Sequence, residues 1–274
     1  MKQLISLRKI SVSFLFLFLF IRVPAVNPFK INAGAGQAGI SYACIMNHDF
    51  WSSFNNQAGL AYNKGFAAGV NSENRFGLKE LTTRSAALII PAGQSSLGLI
   101  YSNYGYADFK KHFGGIACGL RLSEKITGGI QVDYITERTT EDYQNNSFVT
   151  CEAGIQIQPT DNTSLGIHIF NPVPNSLRKY YRPTEIRIGA SYKISPVVMG
   201  AVEIEKGDGS NLVFKTGFEY APINKLLLRG GFSSKTGTLS FGIGYRTKLF
   251  STDIAFITHE RLGLTPSISI IIMP

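Results

Sequence analysis

The chain has 274 residues, and its 27 basic and 18 acidic side chains give a formal net charge of +9. Lys2, Arg8, Lys9 and Arg22 lie in the first 25 residues, which leaves 23 basic against 18 acidic residues in the remainder. Because these basic residues form no run and no helical nucleic-acid motif is present, the charge does not support a nucleic-acid partner. The length allows one large β domain.

Residues 1–25 have the pattern of a secretory signal peptide. Basic residues precede an apolar run over residues 12–21, which is too short to span a bilayer as a helix, and Val23 and Ala25 form a small-residue cleavage site. We therefore expect export across an inner membrane and a mature chain that begins near residue 26. The alternative is an uncleaved anchor helix.

Residues 26–62 do not show strand alternation. They are rich in glycine near their start, have a short helix-compatible stretch at residues 49–54 and contain the only tryptophan of the chain. Such a segment before a barrel is expected to lie in the lumen as a plug that closes it or gates it. The candidate plug residues are Gly34, Gly36, Gly39, Asp49, Trp51, Asn56, Ala58 and Gly59.

Residues 63–274 alternate between apolar and polar side chains. On one strand, for example, Ile130, Val132 and Tyr134 alternate with Gln131 and Asp133. Segments of about 9 to 11 residues are long enough to cross a bilayer as tilted strands. The pattern predicts an all-β fold, a transmembrane antiparallel β-barrel of about 14 strands, and a soluble sandwich or soluble barrel is the alternative. The predicted strands cover residues 64–72, 81–90, 95–105, 113–122, 126–137, 147–157, 163–170, 184–193, 197–206, 211–220, 225–233, 238–246, 250–258 and 266–273.

The connections between these strands alternate between short turns and longer loops. Every second connection is tight, whereas those between them are longer and more polar, above all residues 138–146 and 171–183. This asymmetry is typical of barrels in the outer membrane of Gram-negative bacteria, where the short turns face the periplasm. An even strand number places both termini on the periplasmic side as well.

A glycine repeat precedes several of the tight turns. In each copy a glycine is followed three residues later by an apolar or aromatic residue, and the alternation places the glycine in the lumen and the last residue toward lipid. Three of these last residues are tyrosines, which prefer the membrane interface. The five copies begin at Gly119, Gly154, Gly189, Gly217 and Gly242.

Most charged residues within the strands fall in the lumen register, as expected where a base facing lipid would cost about 2 to 4 kcal/mol. Hairpin geometry predicts that Arg187 lies near Glu203, Lys215 near Arg229, and Glu219 near Lys225. The charges are either a polar pore lining or ion pairs that stiffen the wall and narrow the lumen. The candidate network consists of Glu152, Glu185, Arg187, Glu203, Lys215, Glu219 and Arg229.

The stretch from Gly34 to Ala61 resembles the N-terminal signature of the FadL-like outer-membrane barrels and of their PorV/PorQ relatives from type IX secretion. In that signature a glycine-rich stretch leads to an acidic residue, an aromatic residue and Asn-Pro-Ala-Gly-Leu. Asp49, Trp51, Asn56, Ala58, Gly59 and Leu60 match it, and Gln57 replaces the proline. Residues 255–269 resemble the last hairpin of the PorV/PorQ group. The resemblance implies a plugged 14-stranded barrel, whose relatives either pass hydrophobic compounds or serve protein export.

Two functions follow as hypotheses. The first is a FadL-like transporter or channel for small or hydrophobic solutes, gated by its N-terminal segment. The second is a PorV/PorQ-like non-conducting barrel that acts as a partner in type IX secretion. We do not expect an enzyme or a cofactor, since the sequence has no G-x-S-x-G motif and its four histidines lack metal-ligand spacing.

Overall fold

The computed structural model describes residues 31–106, 108–139, 146–172, 183–235 and 237–274. The predicted signal peptide, residues 1–25, and most of the two longest predicted loops lie outside these ranges. None of the helices in the described ranges has the length and hydropathy of a membrane-spanning helix.

Fourteen antiparallel strands form a closed barrel, which confirms the predicted fold class. Each strand pairs with its neighbours in sequence, and β1 closes the ring against β14 through six residue pairs, from Ala68 with Ile272 to Glu73 with Ser267. The strands are β1 Ala67–Asn74, β2 Thr82–Ala92, β3 Ser95–Gly105, β4 Phe109–Arg121, β5 Ile126–Thr139, β6 Asn146–Thr160, β7 Thr163–Phe170, β8 Glu185–Ser195, β9 Val198–Gly207, β10 Val213–Ile223, β11 Leu226–Ser233, β12 Thr238–Arg246, β13 Phe250–His259 and β14 Gly263–Ile272.

The alternation of the sequence separates the two faces of the wall. On β5, Ile130, Val132 and Tyr134 are 55% to 64% exposed, whereas Gln131 and Asp133 are at most 1% exposed. The outer surface is therefore apolar, as in barrels that contact lipid, and the polar side chains point into the lumen. Tyr192, Tyr220 and Tyr245 face outward near the short turns.

Two kinds of connection distinguish the ends of the barrel. The short-turn end has connections of two to four residues, such as residues 93–94 and 122–125. The opposite, long-loop end carries two short 3-10 helices between β1 and β2, Arg75–Gly77 and Lys79–Leu81.

The chain before β1 forms three short helical elements, which are α1 Ala35–Gly39, α2 Ser52–Asn55 and a 3-10 helix at Gln57–Tyr62. Most of their residues are buried, although they contain many polar side chains. They are buried because they lie inside the barrel, and the contacts that hold them there form the candidate site.

Candidate functional site

Residues 31–63, hereafter the luminal segment, follow the inner wall around the barrel. The segment begins at β14, where the Ala35 amide donates to Ser269 Oγ at 3.3 Å. It passes β12, where Ser240 Oγ donates to the Gly39 carbonyl at 3.1 Å, and it leaves at β3, where Ser96 Oγ donates to the Asn63 carbonyl at 3.1 Å. Between these points its 3-10 helix contacts β5, which lies across the ring from β12, so the segment contacts opposite sides of the lumen.

Lumen-facing glycines form a belt against which this segment packs. A β-carbon at Gly119 would lie 2.5 Å from the Gln57 carbonyl oxygen, and one at Gly217 would lie 2.6 Å from Ile40 Cβ. These separations are shorter than any van der Waals contact, so only glycine permits such close approach. On β9, where the belt lacks a glycine, Ala201 is buried against the segment. The glycine belt consists of Gly98, Gly119, Gly129, Gly154, Gly166, Gly189, Gly217, Gly231 and Gly242.

The predicted glycines at the start of the luminal segment make tight contacts. Gly34 has a φ of +103°, and a β-carbon at this position would overlap Gln37 Oε1 and the Trp51 ring. Gly36 faces the Arg229 guanidinium, where a β-carbon would lie 3.1 Å from Cζ, and Gly39 packs directly on Gly242 of the belt.

The other predicted plug residues organise the segment internally. Asp49 accepts a hydrogen bond from Gln37 Nε2 at 2.5 Å, and burial raises the pKa of this carboxyl. Trp51 packs edge-on against Phe50, with ring centroids 4.9 Å apart. Asn56 Nδ2 donates to the Ile45 carbonyl at 2.7 Å, while its Oδ1 accepts from the Ala58 amide at 3.2 Å. Gly59 packs against the Ser52 side chain, where no β-carbon would fit.

Glu203 on β9 connects the wall to the backbone of the luminal segment. Its Oε2 accepts hydrogen bonds from the amides of Cys44 at 3.0 Å and Ile45 at 3.2 Å. Its Oε1 accepts from Arg187 Nε at 2.6 Å and from Lys215 Nζ at 3.1 Å. The predicted proximity of Arg187 and Glu203 is therefore confirmed. Arg187 also donates to the Tyr42 carbonyl at 3.0 Å, so both members of this pair bind the segment.

Arg229 forms a second cluster, with partners other than those predicted. Its Nε donates to Glu219 at 2.7 Å and its Nη1 to Asp253 at 2.5 Å. The predicted neighbours, Lys215 with Arg229 and Glu219 with Lys225, are wrong, because Lys215 pairs with Ser233 in the strand register. The turn lies at residues 224–225 rather than around Pro222, and Pro222 falls in an irregularity between Tyr220 and Ile223. A bulge of this kind shifts the register of every pair beyond it.

Gln57, which replaces the proline of the family signature, binds a third cluster. Its Nε2 donates to Gln131 Oε1 at 3.1 Å and to Glu152 Oε2 at 3.0 Å. The same Glu152 oxygen lies 2.9 Å from His168 Nε2. Proline could make none of these bonds. The replacement alone predicts no contact for Gln57, and the signal for one is a long amide in a segment that enters a lumen lined with carboxylates such as Glu152. Glu185, the remaining predicted network residue, is buried at the start of β8.

Apolar side chains form a continuous path along one side of the lumen. A continuous hydrophobic cluster, hereafter the apolar column, includes Ala67 and Ile271 toward the short turns and Phe113, Ile135 and Phe170 toward the long loops. Between them the luminal segment contributes Phe50, Trp51, Phe54 and Leu60, which face Ile89, Ile100 and Ala117 of the wall. The charged clusters around Glu203 and Arg229 lie on β8 to β13, which carry no residue of the column, whereas the Glu152 cluster lies on β5 to β7 beside it.

A cavity of about 530 Å³ opens next to the apolar column on the inner side of the barrel. Phe50, Trp51 and Met273 give it an apolar surface, while Asp49 and Arg246 add charges. No group of three or more His, Cys, Asp or Glu side chains within the described ranges has the arrangement of a metal site.

His48 and Tyr62 stack close to this cavity, with ring centroids 3.7 Å apart and planes nearly parallel. The Arg121 guanidinium lies over the same tyrosine ring, 5.4 Å from its centroid. Burial, and to a smaller extent the charges of Lys193 and Arg121, lower the pKa of His48 to about 4. The imidazole is therefore neutral at pH 7.

No family model and no curated protein matches the chain. Solved structures do match it in fold. A Pseudomonas aeruginosa FadL homologue aligns with a TM-score of 0.67 at 11% identity, over 88% of this chain and 98% of that one. The Ralstonia pickettii toluene transporter TbuX aligns with a TM-score of 0.64 at 12% identity, over 89% and 98%. The Acinetobacter baumannii outer membrane protein Omp33 aligns with a TM-score of 0.53 at 10% identity, over 77% and 98%.

At these identities the likeness shows the fold, which is that of an outer-membrane β-barrel. Of these neighbours, TbuX is described as a toluene transporter.

Proposed function

We propose that the protein is a transporter of the Gram-negative outer membrane that passes small hydrophobic solutes, and that its luminal segment acts as a plug that gates the path. Residues 1–25 direct its export and are removed. The short turns face the periplasm.

The apolar column carries this proposal. It provides an apolar surface from Phe170 near the long loops to Ala67 near the short turns, and the cavity beside Trp51 and Met273 adjoins it. A solute without charge could move along such a surface without the cost of losing polar contacts. The charged clusters of β8 to β13 bind the plug from the opposite side. The fold neighbours include a protein described as a toluene transporter, which fits solutes of this class.

The closed state follows from the packing of the luminal segment. The column residues are almost fully buried in this structure, with Ile89 and Ile135 at 0% exposure. Transport therefore requires that side chains such as Phe50 and Phe54 of the segment move away from the wall. Such a movement is gating by the plug.

Uptake by whole cells tests the transport function. We expect cells that express the protein in their outer membrane to accumulate radiolabelled toluene faster than cells with an empty vector. Ala117→Trp, which fills the column, should reduce uptake to the vector level. Ala190→Trp, on the lipid-facing side of β8, is the matched control and should leave uptake unchanged. Equal uptake with and without the protein would contradict the proposal.

Deletion of residues 34–62 tests the gate. Without the segment the glycine belt has no side chains to fill the lumen, so the single-channel conductance in planar bilayers should rise. An unchanged, closed barrel would argue against gating. If toluene uptake also fails and mild-detergent purification recovers secretion-system proteins, the alternative function as a PorV/PorQ-like partner in type IX secretion would replace transport.

A further inference from the structure

Four adjacent strands place uncharged hydrogen-bonding side chains at directly paired positions in the lumen. Asn71 on β1 pairs with Ser269 on β14 and with Ser85 on β2, and Ser85 pairs with Ser102 on β3. All four are at most 4% exposed. We call Ser269, Asn71, Ser85 and Ser102 the polar row.

The polar row borders the apolar column. Ser85 lies two residues from Ala87 on the same face of β2, and Ser102 lies two residues from Ile100 on β3. The position paired with Ser102 on β4 is Phe113, another column residue. A solute in this part of the column would therefore meet the polar row along one edge.

Asn71 has unused hydrogen-bonding capacity within the polar row. Ser267 Oγ donates to Asn71 Oδ1 at 3.2 Å, but Asn71 Nδ2 has no partner among the described residues. Rotating the amide by 180° would leave Oδ1 unpartnered instead, so one polar atom is unused in either orientation. At 3% exposure the side chain has no access to bulk water that could replace the missing bond.

The other members of the polar row already have partners. Ser85 and Ser102 share a hydrogen bond of 2.9 Å, and Ser102 also donates to the Arg84 carbonyl at 3.1 Å. Ser269 accepts from the Ala35 amide. The nearest charged group along β1, Glu73, is occupied by the Tyr42 hydroxyl and by Arg75.

From this arrangement we propose that Asn71 is a specificity-determining residue, which selects solutes that carry a neutral hydroxyl or carbonyl oxygen on an otherwise apolar body. Binding sites of this kind are mainly apolar, and a few placed polar groups give them their selectivity. The polar row contains no cation, so an anionic group would lose its hydration without compensation. This inference rests on the proposed function, because the oxygen must reach Asn71 through the apolar column.

A matched ligand pair tests the proposal. Cyclohexanol and methylcyclohexane share one ring and differ by a hydroxyl in place of a methyl group. Trp51, the only tryptophan, lies in the column, so its fluorescence reports binding to the full-length protein in an amphipol. Asn71→Leu keeps the size of the side chain and removes the amide. We expect it to weaken cyclohexanol binding about tenfold, which corresponds to about 1.4 kcal/mol, with methylcyclohexane affinity unchanged.

Controls separate the possible outcomes. Asn211→Leu makes the same chemical change in an exposed loop and should alter neither affinity. Asn71→Val, which suits a strand, repeats the test if the leucine variant does not fold, as judged by heat-modifiable migration. Equal changes for both ligands, or no change for cyclohexanol, would overturn the role of Asn71 while leaving transport intact. If neither ligand binds the parent protein, the transport proposal fails and this inference fails with it.

Discussion

Glu203 shows how one carboxylate fixes the luminal segment to the wall. It accepts four hydrogen bonds, two from backbone amides of the segment and two from the cations Arg187 and Lys215. Because Arg187 has no exposed surface, Glu203 rather than water compensates its charge. Removing one member of a buried ion pair leaves the other charge uncompensated, which costs about 3 to 5 kcal/mol.

We therefore predict that Glu203→Gln lowers the free energy of unfolding by about 3 kcal/mol or more. The measurement is urea unfolding in detergent, followed by the folded band on a gel without boiling. Glu124→Gln, in an exposed short turn, is the control and should change little. Similar losses for the two variants would show that the position of Glu203 has no special importance.

His48 predicts a dependence on pH. Its pKa is about 4 in the folded protein, below the ordinary value of 6.5. The unfolded chain therefore takes up a proton first as the pH falls, so the contribution of His48 to stability is complete above pH 6.5 and is lost between pH 6.5 and about 4. His48→Phe keeps the stacking on Tyr62 and removes this part of the pH dependence.

Thermal unfolding between pH 7 and pH 4 checks this prediction. The parent protein should lose more stability on acidification than His48→Phe. His112→Phe makes the same change at a histidine on β4 outside the luminal segment and is the control for the loss of an imidazole as such. Identical pH profiles for the parent and His48→Phe would contradict it.

At the scale of the elements, the glycine belt joins strands that are distant in sequence. Gly129 on β5 pairs directly with Gly119 on β4 and with Gly154 on β6, so three neighbouring strands offer bare backbone to the same part of the luminal segment. At Gly119 and Gly129 a side chain would meet backbone atoms of the segment, which cannot rotate away, whereas at Gly154 it would meet the Asn56 side chain.

Gly129→Ala should therefore displace residues 57–58 of the luminal segment and destabilise the protein. Its β-carbon would overlap the Gln57 carbonyl carbon and the Ala58 nitrogen. Gly114→Ala on β4, where a β-carbon has open space, makes the same change without a clash and should be neutral or slightly stabilising. The midpoints of urea unfolding compare the two variants. If both variants lose stability, the effect comes from replacing a glycine in a strand and not from a clash with the luminal segment.

The elements that the sequence predicts well are those with a regular period. Strand alternation follows from the pleat, so β3, β7 and β12 have the predicted bounds. The predicted pairing of β10 with β11 is wrong because β10 continues through Pro222 to Ile223, so the turn lies two residues later than the proline suggests. Five of the belt glycines form a repeat in the sequence. Their contacts cannot be predicted from that repeat, because they are made with the luminal segment, which has no hydrophobic periodicity. Gln57 and Asn71 were missed as contact residues for the same reason, since an isolated amide has no pattern in sequence.

For the whole molecule, the prediction concerns its direction in the membrane. Asp208 lies at the long-loop end and Asn162 in a short turn, and both positions are exposed. A membrane-impermeant maleimide should label Asp208→Cys in intact cells, and Asn162→Cys only after the outer membrane is permeabilised. The parent protein, whose Cys44 is buried and whose Cys118 and Cys151 are only partly exposed, is the control. Labelling of Asn162→Cys in intact cells would reverse the proposed orientation.

The glycine belt also affects which positions of the luminal segment can change in sequence. Five of its glycines, at 119, 129, 166, 231 and 242, contact mainly the backbone of the segment, and none of the belt contacts involves Phe50 or Phe54. Residues such as Phe50 and Phe54, which face the apolar column, could therefore be exchanged while the belt continues to position the segment. The wall can therefore be kept as a fixed scaffold while the luminal segment is varied. Barrels of new selectivity could be built by redesigning a few positions of the luminal segment without altering the wall.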